Sequence, residues 1–142
     1  MMQSSKGDNA MNFTIIPASW APRLLSILRI MTGLLFLEHA TAKLFKFPPI
    51  QMFANLDLMS LVGVAGIIEL VGSVLLVLGI FSRPVAFILA GEMAVAYFMA
   101  HAPRSFFPLV NNGEPAILFC FIFLYIAAAG PGPWSIDASR SK

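Results

Sequence analysis

Residues 58–81 read LMSLVGVAGIIELVGSVLLVLGIF, a run whose one ionisable side chain is Glu69. A helix needs about 20 residues to cross the ~30 Å hydrocarbon core of a bilayer, so this run is long enough. It must be helical there, because an isolated strand in lipid leaves its backbone N–H and C=O groups unpaired.

Working outward, three more apolar segments flank it, at about 23–43, 84–101 and 114–130. Pro22, Pro84 and Pro115 stand where helices begin, and a proline in the first turn sacrifices no internal hydrogen bond. The run Gly130-Pro131-Gly132-Pro133 stops the last segment. The composition agrees: 58% of the 142 residues are hydrophobic and 11% are charged, against ~25% charged in a soluble domain. In water such a chain would expose large apolar patches. The expected fold is therefore all-α, an integral membrane four-helix bundle with antiparallel up-down topology. Residues 1–21 read as a mobile tail without the apolar core of a secretory signal. Residues 22–137 form the membrane domain and 138–142 a short tail.

The tight turn at 80–84 makes the second and third spans neighbours. The longer connection at 44–59 contains Pro48-Pro49 and reads as a short amphipathic piece lying in the interface. Trp20 and Trp134 flank the first and last spans, where indoles favour the headgroup zone. An even number of spans puts both termini on one side, with Lys6, Arg23, Arg83, Arg140 and Lys142 facing that side and Lys43, Lys46 and Arg104 the other. The excess of basic residues predicts cytoplasmic termini. Gly63, Gly66, Gly72 and Gly79 read as close-packing positions, not as a phosphate loop, which needs a strand before it. Cys120 stands alone in the chain, so neither an intrachain disulfide nor a Cys-x-x-Cys exchanger is available. The scattered phenylalanines and small net charge of +2 give nucleic-acid binding no support.

An ionisable group at bilayer depth costs about 2.5–3.5 kcal/mol and persists when paired or useful. Counting along each span at ~1.5 Å per residue separates two groups. Arg29 pairs with Glu92 or Glu69 at mid-depth. His39, Lys43, His101 and Glu114 gather near the loop end. At ~100° per residue, Arg29, Phe36, Ala40 and Lys43 share a face bordered by His39, while Glu38 points away from Arg29. Tyr97 and His101, four apart, share a face of the third span, and Glu92 lies opposite His101. The stretch 36–47, FLEHATAKLFKF, is thus the exit of the first helix into a polar vestibule.

Several strings carry a family resemblance. They are Arg29-Ile-Met-Thr-Gly33-Leu-Leu-Phe-Leu with Lys43-Leu44 after it, Ile68-Glu69-Leu-Val-Gly72, and Leu78-Gly79-Ile-Phe-Ser-Arg83-Pro84. Further on come Ala96-Tyr97-Phe98-Met-Ala-His101, Phe107-Pro108, Asn112-Gly113-Glu114 and Gly130-Pro131-Gly132-Pro133-Trp134-Ser135-Ile-Asp137. The chain resembles the DoxX family of small four-span bacterial inner-membrane proteins. That resemblance implies a membrane oxidoreductase component, with relatives tied to thiosulfate:quinone oxidation and to redox complexes handling thiols and peroxides. Arg29, Lys43, Glu69, His101, Asn112 and Glu114 carry over; Glu38, His39 and Glu92 are less typical of the family.

The leading functional expectation is a quinone-linked redox subunit. His101, Lys43 and Glu114 are the candidate catalytic residues: His101 and Lys43 meet the quinone carbonyls, and Glu114 relays a proton to water. Arg29, Glu69, Asn112, Glu92 and His39 are the polar residues that shape the pocket. Quinone is the cofactor expected. Neither a metal site nor haem is expected, although His39 and His101 fall at one depth and axial histidines can hold a b-type haem. Expected partners are membrane lipid, a soluble or membrane redox partner protein, and further copies of the chain in a homo-oligomer. The competing expectation is a non-enzymatic membrane scaffold or a carrier of small molecules or lipid.

Overall fold

A computed structural model describes residues 13–142. Residues 1–12 of the expected mobile tail, including Lys6, lie outside the described residues. A 3-10 turn at Ala18–Trp20 leads into α1 (Ala21–Phe45), followed by a second 3-10 turn at Gln51–Phe53, α2 (Leu61–Leu78) and α3 (Ser82–Ala96). The third helix runs on through a π-helical turn at Tyr97–His101 and a 3-10 turn at Ala102–Arg104. Then come α4 (Pro108–Asn111), α5 (Glu114–Ala129) and α6 (Ile136–Arg140). Among the described residues the structure is helical, with no strand.

Local chemistry sets these boundaries. α2 starts three residues later than the apolar run suggests, because the Ser60 hydroxyl accepts the Gly63 amide at 3.1 Å and caps the helix. It ends at Leu78, where Gly79 takes a left-handed φ of 71°, a conformation that costs glycine nothing. The expected span through residue 81 is therefore shorter at both ends. α1 runs further than the sequence indicates and stops at left-handed Lys46, φ 58°. The connection at 44–59 holds only a three-residue 3-10 turn, exposed apart from Phe53.

Three helical stretches, Ala18–Phe45, Leu61–Leu78 and Ser82–Arg104, are long and apolar enough to cross a membrane. α5, with 16 residues, is about 24 Å long at ~1.5 Å per residue, short of a ~30 Å core. The distribution of side chains fits lipid as solvent. Ile27, Met31, Leu35, Ile67, Val71, Phe87, Ile88, Leu118 and Phe121 are exposed, while Arg29, Thr32, Glu69, Ser73 and Asn111 are buried. A soluble protein of this size would reverse that pattern.

The helices meet mainly as α1 against α2 and α3 against α5, with a lesser seam between α2 and α3 and a slight one between α1 and α5. Phe36, Leu76, Leu89, Met93, Phe123 and Ile126 form the apolar core. Glycines set the close approaches. Gly66 lies against Lys43 and Leu44, Gly33 against Val77, and Gly72 against Leu89.

The packing predicts opposite outcomes for two Gly→Ala changes. A Cβ at Gly63 would lie within 2.6 Å of the Asp57 and Leu58 backbone, so Gly63→Ala is expected to cost about 1–3 kcal/mol through overpacking. Gly91 has open space around it, and Gly91→Ala should leave stability unchanged or raise it by up to about 1 kcal/mol. Thermal unfolding of the two variants in detergent checks the contrast.

Candidate functional site

Helical spacing puts Phe36, Ala40 and Lys43 on the inward face of α1 and Gly66, Glu69 and Ser73 on that of α2. Where the two faces meet, the Lys43 ammonium lies 2.6 Å from Glu69 Oε1. Glu69 is 1% exposed, and Lys43 is largely enclosed, its ammonium 5.8 Å from the Phe53 ring centre. Gly66 makes this possible: its missing side chain lets the Lys43 stem lie directly against α2.

Glu92 joins this pair from α3. Gly72 touches Leu89; Glu69 lies three residues before the one and Glu92 three residues after the other, which brings the carboxyls to a common level across the α2–α3 seam. Glu92 lies within electrostatic range of both Glu69 and Lys43. Both of its oxygens, Glu69 Oε2 and Ser73 Oγ are buried without a hydrogen-bond partner among the described residues. One turn before Lys43, the His39 ring stands at right angles to Phe119 of α5, with centroids 5.7 Å apart, and 6.1 Å from Phe36. His39 is exposed at the edge between α1 and α5.

His101 belongs to a different cluster. The π turn brings its Nδ1–H to the Asn111 carbonyl at 3.0 Å, and its ring lies near-parallel to Tyr97, centroids 6.3 Å apart. The Asn111 amide donates to the Ser105 carbonyl at 2.9 Å and to the Tyr97 hydroxyl at 3.4 Å. Its oxygen accepts from Gly113 N at 2.7 Å. Asn111, 1% exposed, organises this loop, whereas Asn112 is an exposed left-handed residue. Glu114 opens α5 and is exposed. Among the described residues, no hydrogen bond or ion pair joins His101, Lys43 and Glu114. His39 and His101 are likewise held by different neighbours.

Arg29 is placed where the sequence reading did not put it. Its guanidinium donates to the carbonyls of Pro131 and of Trp134, the latter at 2.7 Å, and not to Glu69 or Glu92. The reason is that α1 extends past the end of α2: Arg29 lies against Gly79, just beyond the last residue of α2. Ser26 accepts the Trp134 amide at 3.1 Å. Nearby, Asp137 accepts the Phe81 and Ser82 amides, each at 2.9 Å, and Arg83 donates to the carbonyls of Ala127 and Ala128 at the end of α5. The Asp137 and Arg83 contacts close helix ends, whose first amides and last carbonyls lack helical partners. Burial opposes ionisation of Asp137, yet the Ser82 and Phe81 donors and the Arg140 charge outweigh it, so its carboxyl titrates below the ordinary value.

Sequence reasoning missed Asn111, Ser73 and the role of Ser26. Asn111 left a usable signal in the Asn-Asn-Gly turn, but which asparagine turns inward depends on the left-handed geometry at Asn112.

A family model described as DoxX matches residues 24–102. A Haemophilus influenzae protein described as uncharacterized is 44% identical over 124 residues, covering 83% of this chain and 91% of its own length. No solved structure matches the chain.

Two measurements probe these contacts. Lys43→Met leaves Glu69 buried and unpaired and is expected to lower stability by about 3 kcal/mol. The double change Lys43→Met/Glu69→Leu should recover most of that loss in detergent unfolding. Asp137 has a depressed pKa in the fold, so its contribution is full above the unfolded value of about 3.9 and is lost as pH falls through the folded value. Asp137→Asn should remove about 1 kcal/mol at neutral pH and flatten the acid limb of the stability–pH curve.

Proposed function

The chain belongs to the DoxX family, and on that premise we propose that it is a quinone-linked oxidoreductase component of a bacterial inner-membrane redox complex. In this reading the four apolar helices form an up-down antiparallel bundle with cytoplasmic termini. The observation that carries the reading is the buried Lys43–Glu69 pair, with His39 beside it at the lipid-facing edge of α1 and α5. A quinone ring has two carbonyl acceptors and an apolar tail. Lys43 has three N–H donors, one of them on Glu69, and His39 offers a further ring nitrogen. The half-buried Phe119 supplies an aromatic face at the same edge, and the tail would lie among the exposed aliphatic side chains.

The residues thus suit the headgroup, with Lys43 and His39 to hold its oxygens and Glu69 to fix the ammonium. Bound quinone would supply the two-electron, two-proton chemistry. The electrons would reach it from a partner protein or substrate, since the chain offers no cysteine pair. His101 and Glu114 lie in separate surroundings and have no direct role in this version of the site.

A second reading, a scaffold or small-molecule carrier, draws on one observation. The Lys43–Glu69 pair is enclosed, while an open groove of about 510 Å³ lies at the other end, lined in part by Arg83, Pro131 and Asp137. Full-length protein extracted gently from native membrane separates the readings. Quinone should copurify and be detected by mass spectrometry, and Lys43→Gln and His39→Ala should each weaken its rebinding at least tenfold. Folded wild-type protein that takes up no quinone favours the carrier.

A further inference from the structure

We propose that Lys43, Glu69 and Glu92 form a proton-binding site at mid-membrane, in which the two carboxyls hold one exchangeable proton beside the lysine ammonium. The argument starts from position. Glu69 lies nine residues before the end of α2 and Glu92 ten residues after the start of α3. Both are about 14–15 Å from the same face at ~1.5 Å per residue, near the middle of a ~30 Å core.

Charge comes next. Fully ionised, the layer would hold one ammonium and two carboxylates, leaving one negative charge uncompensated. An uncompensated charge is strongly disfavoured at this depth. The neighbouring helices do not supply the missing cation. α1 brings Lys43 and, one turn earlier, His39; α2 brings Glu69 and Ser73. The ionisable groups of α5 are Cys120 and the exposed Glu114 and Tyr125. Along α3 itself the next such group is Tyr97, beside His101.

Hydrogen bonding points the same way. Both Glu92 oxygens and Glu69 Oε2 are shut off from solvent without a partner among the described residues. All three are acceptors in the ionised state, so none can satisfy another. A proton needs no cavity, and it converts one carboxyl into an O–H donor. That donor can serve another of the orphaned carboxyl oxygens. The step is the addition of a proton from water to a carboxylate, giving a carboxylic acid; no electron moves and no group leaves. The inference stands apart from the quinone reading, because a proton site serves a carrier equally well.

Infrared difference spectroscopy of the full-length protein in liposomes tests it at neutral pH, where exposed carboxylates are ionised. The expected result is one protonated-carboxyl band that shifts in D2O and converts to carboxylate as pH rises. Glu69→Gln/Glu92→Gln should abolish the band, Glu92→Gln alone should shift or remove it, and Glu38→Gln should leave it unchanged. The glutamine side chain is neutral and similar in size, so the single variant serves if the double one does not fold. Absence of an exchangeable acid band in wild type, or an unchanged band in Glu92→Gln, overturns the proposal.

Discussion

A charge in hydrocarbon must find an opposite charge or a set of dipoles, and the interior of this protein is arranged around that requirement. The Lys43–Glu69 contact at 2.6 Å exists only because α1 and α2 approach closely, and they do so at glycine. Gly66 sits beneath the Lys43 and Leu44 side chains, and Gly33 meets Val77. Lipid offers no hydrophobic drive for helices to associate, so close packing and polar contacts hold them together. Sequence, packing and electrostatics therefore depend on one another here. A bulkier residue at 66 would push α1 away and separate the charges.

The end that carries the C-terminal segment meets the same requirement differently. Arg29 and Arg83 bind backbone carbonyls, and Asp137 binds backbone amides. Each ion is matched to the dipoles of a helix end or turn. The Gly-Pro-Gly-Pro-Trp-Ser-Ile-Asp run is in this sense a clasp. It turns back against α1, supplies the Pro131 and Trp134 carbonyls for Arg29, and delivers Asp137 to the start of α3. The most distinctive string in the sequence thus has a structural explanation that needs no substrate.

Much of the helical layout was legible from residue order. Prolines marked the starts, and four-residue spacing put Tyr97 and His101 together, as the near-parallel rings show. The inward aim of Lys43 was legible for the same reason. The end of α2 was missed, because Gly79 read as a packing position while its left-handed backbone is what stops the helix. Partners across helices were harder. Depth counting assumes that helices start from a common plane, but α1 extends past α2 at the end where Arg29 sits. That moves Arg29 out of reach of the glutamates and leaves Glu69 to Lys43, whose long stem reaches back from the last turn of α1. Asn111 could not be chosen over Asn112 without the backbone geometry. Glu92 was recognised as an ionisable group at depth, yet its match in level to Glu69 rests on the Gly72–Leu89 contact, which one-dimensional counting does not supply.

The contrast between the two ends bears on where chemistry resides. At the clasp, charged groups meet helix-end donors and acceptors, and a site committed in this way has little left to offer a ligand. At mid-membrane the balance is unequal: one ammonium faces two carboxyls, and four oxygens lack partners among the described residues. Burial makes such a deficit costly, so it favours whatever can supply a donor. The layer lies near the lighter seam between α1 and α5, where His39 reaches the lipid-facing surface. That edge allows a membrane-dissolved molecule to approach the polar interior without passing through water. The same imbalance that underlies the proposed proton site would then also set the protonation of anything docking beside Lys43, linking the occupancy of one to the charge of the other.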